Sequence, residues 1–191
     1  MADVGIARRS AFHGQTLPVK IGVATVTDAG PLARWIYRGK PEVIAAVFGV
    51  APSTEPSRAA THCERAALWL GPDEWLLLAP DDERIPLATS LKTVIAGHSA
   101  SVVDVAHRQC GLVIDGPQAA RLLNAGCPLD LDLSAFPVGM CTRTLMAKAE
   151  IVLWRIGTVR FHVECWRSFA PYVVGIVATG LRDLSDTTRQ L

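Results

Sequence analysis

The chain has 191 residues, half of them hydrophobic and only 19% charged, with a formal net charge of +1. Its basic residues form no long run, so the electrostatic footprint of a phosphate-backbone binder is missing and nucleic acid is not an expected partner. No apolar run reaches the roughly 18 residues of a membrane-spanning helix, while the length suffices for one large or two small cored domains without disulfide staples.

A charged fraction below the roughly 25% of an average globular domain, with a mean hydropathy of +0.27, predicts that part of the surface is covered by another subunit. The five cysteines, Cys63, Cys110, Cys127, Cys141 and Cys165, are odd in number and contain no CxxC pair. They are expected to be reduced, small buried residues of a cytoplasmic protein. Arg8 and Arg9 faintly resemble a twin-arginine export signal, but no apolar core follows, so the N-terminus reads as a short flexible arm.

Along the chain the pattern predicts a strand at 21–27, a helix at 41–48, strands at 65–70 and 74–79, a helix at 86–96 and a strand at 101–106. That order is βαββαβ, the ferredoxin-like motif. A second series follows: a strand at 111–114, a helix at 117–125, strands within 142–155 and at 159–166, and a last helix at 169–179. The expectation is an α+β protein of two related ferredoxin-like βαββα lobes, divided near residue 100 into 1–100 and 101–191. Gly49, Gly97, Gly126 and Gly180 each follow an apolar-periodic segment, where a left-handed residue closing the helix is wanted. Ser168 and Pro171 mark the start of the last helix, whose stripe of Phe169, Tyr172, Val173, Ile176 and Val177 should lie on a sheet.

Two strands carry more information. In 159–166, Val159, Phe161, Val163 and Cys165 alternate with Arg160, His162, Glu164 and Trp166, so one face is core and the other wet or paired. In 74–79 the alternation fails at Leu76, Leu77 and Leu78, as in a strand covered on both faces, by the other lobe or a partner subunit. The segment 126–139 has no helical period and reads as an ordered loop, and 50–58, with Pro52 and Pro56, as an exposed, weakly constrained connection.

Candidate chemistry is sparse. Asp104, His107 and Cys110 include the residue types of a nucleophilic site, but on one extended strand Asp104 and His107 point to opposite faces. His62 with Cys63, and His162 with Cys165, are metal-ligand types separated by the same geometry. Asp130 and Asp132 fit loop solvation better than acid–base work, and the Gly111–Gly116 turn lacks a phosphate-binding pattern. No catalytic, cofactor-binding or metal-binding residue is assigned. Four of the five tryptophans sit in two hairpins, and tryptophan is enriched at binding hot spots. Trp69, Trp75, Trp166 and Arg167 are the expected interface residues.

The strings LWLGPDEWLLLAP, VDVAHRQCGLVIDGPQAARLLNAGCPLDL, FPVGMCTRTLMAKAEIVLWR and CWRSFAPY, in that order between about residues 68 and 172, resemble the gamma subunits of heterotetrameric sarcosine oxidases. The His107-Arg108 pair fits that pattern, and Ala106 stands where a small polar residue is expected. The resemblance implies a fold similar to the folate-binding domains of aminomethyltransferases. It also implies alpha, beta and delta partner subunits, with FAD, FMN, NAD, tetrahydrofolate and zinc held by those partners and none in this chain. The implied complex demethylates sarcosine oxidatively to glycine, forming hydrogen peroxide and 5,10-methylenetetrahydrofolate, and this chain is its non-catalytic structural member. Two rivals share the element order: a free-standing folate-binding one-carbon protein of aminomethyltransferase type, and an amino-acid-binding regulatory module.

Overall fold

The structure is a computed structural model that describes residues 9–14, 16–20 and 22–187. Arg8 and Ile21, which entered the readings of the arm and of the first strand, lie outside the described residues.

Eleven strands and four helices alternate among these residues. In chain order they are β1 (Val19–Lys20), β2 (Ala24–Asp28), β3 (Leu32–Arg38), α1 (Pro41–Phe48), β4 (Ala59–His62), β5 (Arg65–Gly71), β6 (Glu74–Pro80) and α2 (Arg84–Val94). Then come β7 (Ser101–Asp104), β8 (Gln109–Asp115), α3 (Ala119–Asn124), β9 (Cys141–Met146), β10 (Ala149–Gly157), β11 (Arg160–Trp166) and α4 (Ala170–Thr187).

The strands form two antiparallel sheets, one of five in the order β4-β5-β6-β3-β7 and one of six in the order β1-β2-β8-β11-β10-β9. Within the first, β7-β3-β6-β5 is the spatial order of a ferredoxin-like βαββαβ unit whose opening strand is β3, not the segment predicted at 21–27. That earlier segment, as β2, pairs with β8 in the other sheet, where it takes the place that β7 holds in the first. Sheet membership therefore crosses residue 100 in both directions.

The three apolar layers explain the sequence pattern. On the outer face of the five-stranded sheet, Trp35, Tyr37, Trp75 and Leu77 pack with Ile44 and Phe48 of α1 and Leu87 and Leu91 of α2. On the outer face of the other, Leu112, Ile114, Phe161 and Val163 meet Leu122 and Leu123 of α3 and Val173 and Val177 of α4. Between the sheets, Leu68, Leu76 and Leu78 lie against Cys141 and Val152. Leu76, Leu77 and Leu78 are consecutive because β6 is buried on both faces, and the second cover is the other lobe.

One corner stitches the sheets together: Cys141 N–H donates to the Ser57 carbonyl at 2.8 Å and Ala59 N–H to the Gly139 carbonyl at 2.9 Å.

Some local expectations need correction. Gly49 closes α1 in the left-handed region at φ 74°, its N–H donating to the Ala45 carbonyl. Gly180, in contrast, lies inside α4, which runs on to Thr187. A Cβ there would fall 2.9 Å from Leu122 Cδ1 and 3.2 Å from Ala125 Cβ. The residue is glycine because α3 and α4 approach closely, not because a helix ends. The connection 50–58 is also tied down, since Val50 and Pro52 are buried and Trp75 Nε1 donates to the Ser53 carbonyl at 2.8 Å. The loop 126–139 is ordered: Leu131 and Phe136 are buried, and the Arg155 guanidinium donates to both their carbonyls, at 3.1 and 2.7 Å.

Candidate functional site: the polar seam between the sheets

Residues that β3 and β11 turn toward the space between the sheets include charged ones, and the sequence pairs them across it. Arg34 of β3 reaches Glu164 of β11 with two donated bonds, Nε to Oε2 at 2.7 Å and Nη2 to Oε1 at 2.9 Å. His162, two residues earlier and so on the same face, lies with Nε2 2.8 Å from Glu164 Oε1. Its ring is tilted against Trp154 at a centroid distance of 6.0 Å.

All three side chains are buried. Burial alone would push the Glu164 carboxyl up, but the Arg34 guanidinium and the His162 hydrogen bond outweigh it and hold the group down to about 2. Such a pair joins the lobes in one geometry, because leaving either charge behind in the seam costs far more than the pair gains. Gly111 of β8 makes room for it: a Cβ there would sit 2.6 Å from Glu164 Oε1 and 3.1 Å from Arg34 Nη2. The Gly111–Gly116 stretch is strand β8 up to Asp115, not a turn, and its first glycine has a packing reason.

A second ionic group lies at the end of the seam where β3 and β11 finish. Glu74 at the start of β6 accepts from Arg38 Nε at 3.1 Å and also pairs with Arg143 of β9. These two cations hold its carboxyl below the ordinary range against the opposing effect of burial.

The structure separates the residues considered for catalysis. Asp104 pairs with Arg84 at 2.7 Å and accepts from the Ala106 N–H, His107 is exposed, and Cys110 turns into the core toward Cys165. His162 and Cys165 lie on opposite faces of β11, in different layers. His62 and Cys63 form part of an exposed hairpin end. Asp130 and Asp132 each accept a backbone N–H two residues on, at 2.9 Å, which is loop capping. Among the described residues no group of three His, Cys, Asp or Glu side chains is placed to hold a metal ion.

Of the expected interface residues, Trp75 is corrected to core: it is fully buried and stacks on Tyr37, with ring centroids 5.9 Å apart. Trp69 is half-buried, its Nε1 enclosed without a hydrogen-bond partner. Trp166 keeps 40% of its surface exposed at the end of β11, flanked by Phe169 at 6.5 Å and the Arg108 guanidinium at 5.0 Å. Arg167 is exposed beside it, Nη1 donating to the Arg9 carbonyl.

Residues 41–180 match the model of the sarcosine oxidase, gamma subunit family. The chain is 32% identical over 190 residues to the sarcosine oxidase subunit gamma of an Arthrobacter species, covering 98% of this chain and 85% of that protein. It is 31% identical over 158 residues to the subunit of the same name from Corynebacterium sp. strain P-1, covering 81% and 71%. Its fold matches a chain of the heterotetrameric sarcosine oxidase from Corynebacterium sp. U-96 with a TM-score of 0.85 at 25% identity, over 93% of this chain and 96% of that one. Aminomethyltransferase T of the glycine cleavage system from Bartonella henselae shares the fold at a TM-score of 0.63 and 16% identity, over 90% of this chain and 53% of that one. With the match running through both lobes, and two relatives above 30% identity covering most of its length, this chain belongs to the sarcosine oxidase gamma subunit family.

Proposed function

We propose that the chain works as the gamma subunit of a heterotetrameric sarcosine oxidase, in complex with alpha, beta and delta subunits, and that its part is to hold the assembly together. The observation that carries this reading is the family match through both lobes, joined to a fold shared over nearly the whole of two chains. The complex would convert sarcosine, tetrahydrofolate and oxygen to glycine, 5,10-methylenetetrahydrofolate and hydrogen peroxide. In this reading FAD, FMN, NAD, tetrahydrofolate and zinc are bound by the partner subunits, and the setting is the cytoplasm. The ionisable residues of this chain support a structural part, because Arg34 with Glu164, and Arg143 with Glu74, are engaged with one another across the two lobes.

Docking would use the exposed end of β11, with Trp166 and Arg167 at its centre and half-buried Trp69 in a supporting position. Trp166→Ala should weaken subunit affinity about thirtyfold, the size of a tryptophan hot spot. The melting temperature of the isolated chain should stay within about 3 °C of wild type, as the exposed ring adds little to the core. A large fall in melting with normal assembly would return Trp166 to the core.

The reading as a whole is tested by purifying the tagged chain from its host at low salt. Larger subunits, a yellow flavin spectrum and peroxide formation on sarcosine are expected. A colourless, solitary chain that binds tetrahydrofolate would replace the subunit reading with that of a free folate-binding protein.

A further inference from the structure

The seam is open at the end where β3, β5 and β11 finish and β6, β8 and β10 begin. The opening is a cleft of about 550 Å³, with Ile36, Val105 and Val152 as apolar walls. Three guanidiniums, those of Arg38, Arg108 and Arg143, line it against two carboxylates, Glu74 and Glu150.

These charges are unevenly used. Glu74 takes both Arg38 and Arg143, whereas Arg108 has no carboxylate partner among the described residues and rests on the face of Trp166. Beside Arg108 sits Gln109, 7% exposed, whose Oε1 is enclosed without a hydrogen-bond donor. A buried acceptor left unpaired is costly, so its position beside an unneutralised guanidinium marks a place where a donor and an anion arrive together.

We propose that this cleft receives an extended acidic segment of a partner subunit. One of its carboxylates meets the Arg108 guanidinium on Trp166, and one of its backbone N–H groups donates to Gln109 Oε1. The inference rests on the subunit reading above and specifies the chemistry of one contact. A peptide supplies both a carboxylate and an N–H, and guanidinium is the group best suited to bidentate carboxylate recognition in a partly dry site. The rim argues for a chain segment rather than a small molecule. Val103, 54% exposed, stands on β7, an edge strand that among the described residues pairs with β3 alone, which leaves its outer backbone edge available to an added strand.

The test uses the complex co-expressed from its four subunits, with a photo-crosslinking phenylalanine analogue in place of Val103. After irradiation and digestion, the expected product joins this chain to a partner-subunit peptide that carries Asp or Glu. Arg108→Glu should abolish the cross-link and weaken subunit affinity about tenfold or more. Changing the cross-linked acidic residue to Lys should restore both. Arg108→Gln, which removes the charge without reversing it, should fall between, and the melting temperature of each isolated variant controls for folding. An intact complex in which Val103 cross-links to no partner, or to a segment without an acid, overturns the cleft proposal and leaves the subunit reading standing. Failure of the wild-type chain to recover any partner overturns both.

Discussion

Glu164 and Arg34 face each other from different lobes, and neither can be removed alone without stranding a charge in a dry layer. Arg34→Met should therefore destabilise the chain by about 3–5 kcal/mol, read as a shift in the denaturant midpoint. The pH dependence has a definite sign. The Glu164 carboxyl titrates near 2 in the folded chain, below the value of about 4.3 in an unfolded one. Its stabilisation is complete above the unfolded value and is lost as pH falls through the folded one. Denaturant midpoints between pH 5 and 2 should fall for wild type and flatten in Glu164→Gln; an equally steep fall in the variant would assign the acid sensitivity to other carboxylates. At this scale the sequence was half legible. The alternation of β11 put His162 and Glu164 on a face marked as wet or paired, and paired is what they are. Their partner is hidden because nothing local in LARWIYR says which distant residue the Arg34 guanidinium will meet.

Among the elements, β6 and α4 show where local pattern succeeds and where it fails. Three consecutive leucines in a short strand announced cover on both faces, and the two layers on either side of β6 supply it. Gly180 misled, because a glycine after an apolar stripe ends a helix more often than it lets two helices touch. The distinction has a measurable outcome. A C′ glycine changed to valine strains only a turn, whereas Gly180→Val forces its branched side chain into Leu122 and Ala125. Overpacking of this kind costs about 1–3 kcal/mol. Thermal melts should show that loss in Gly180→Val, and a second change, Leu122→Ala, should recover part of it by opening space. β3 is hidden for a different reason: its alternation of Ala33, Trp35 and Tyr37 with Arg34, Ile36 and Arg38 is present, but the strand at 21–27 takes the opening place of the motif. Only pairing with β6 and β7 shows which of the two belongs there.

At the scale of the whole molecule, the five-stranded lobe, residues 32–104, is an insertion between β2 and the rest of the six-stranded lobe. A fragment of residues 101–191 accordingly lacks β2, the neighbour of β8, and carries β7, which has no partner there. Calorimetry on that fragment should show no cooperative melt, while addition of a peptide spanning 16–31 should restore one by returning β2 to the edge of β8. A sharp melt of the fragment alone would mean that β2 is dispensable. The same arrangement gives synthesis an order. Thr25 on β2 and Asp115 on β8 face each other across 90 residues of chain, so on the ribosome β2 emerges early and must wait. The inserted lobe, whose strands and helices are contiguous, has all its parts by residue 104 and can fold first. β2 would then be carried on the surface of an already folded body, available to a chaperone or to a neighbouring nascent chain until β8 arrives to claim it.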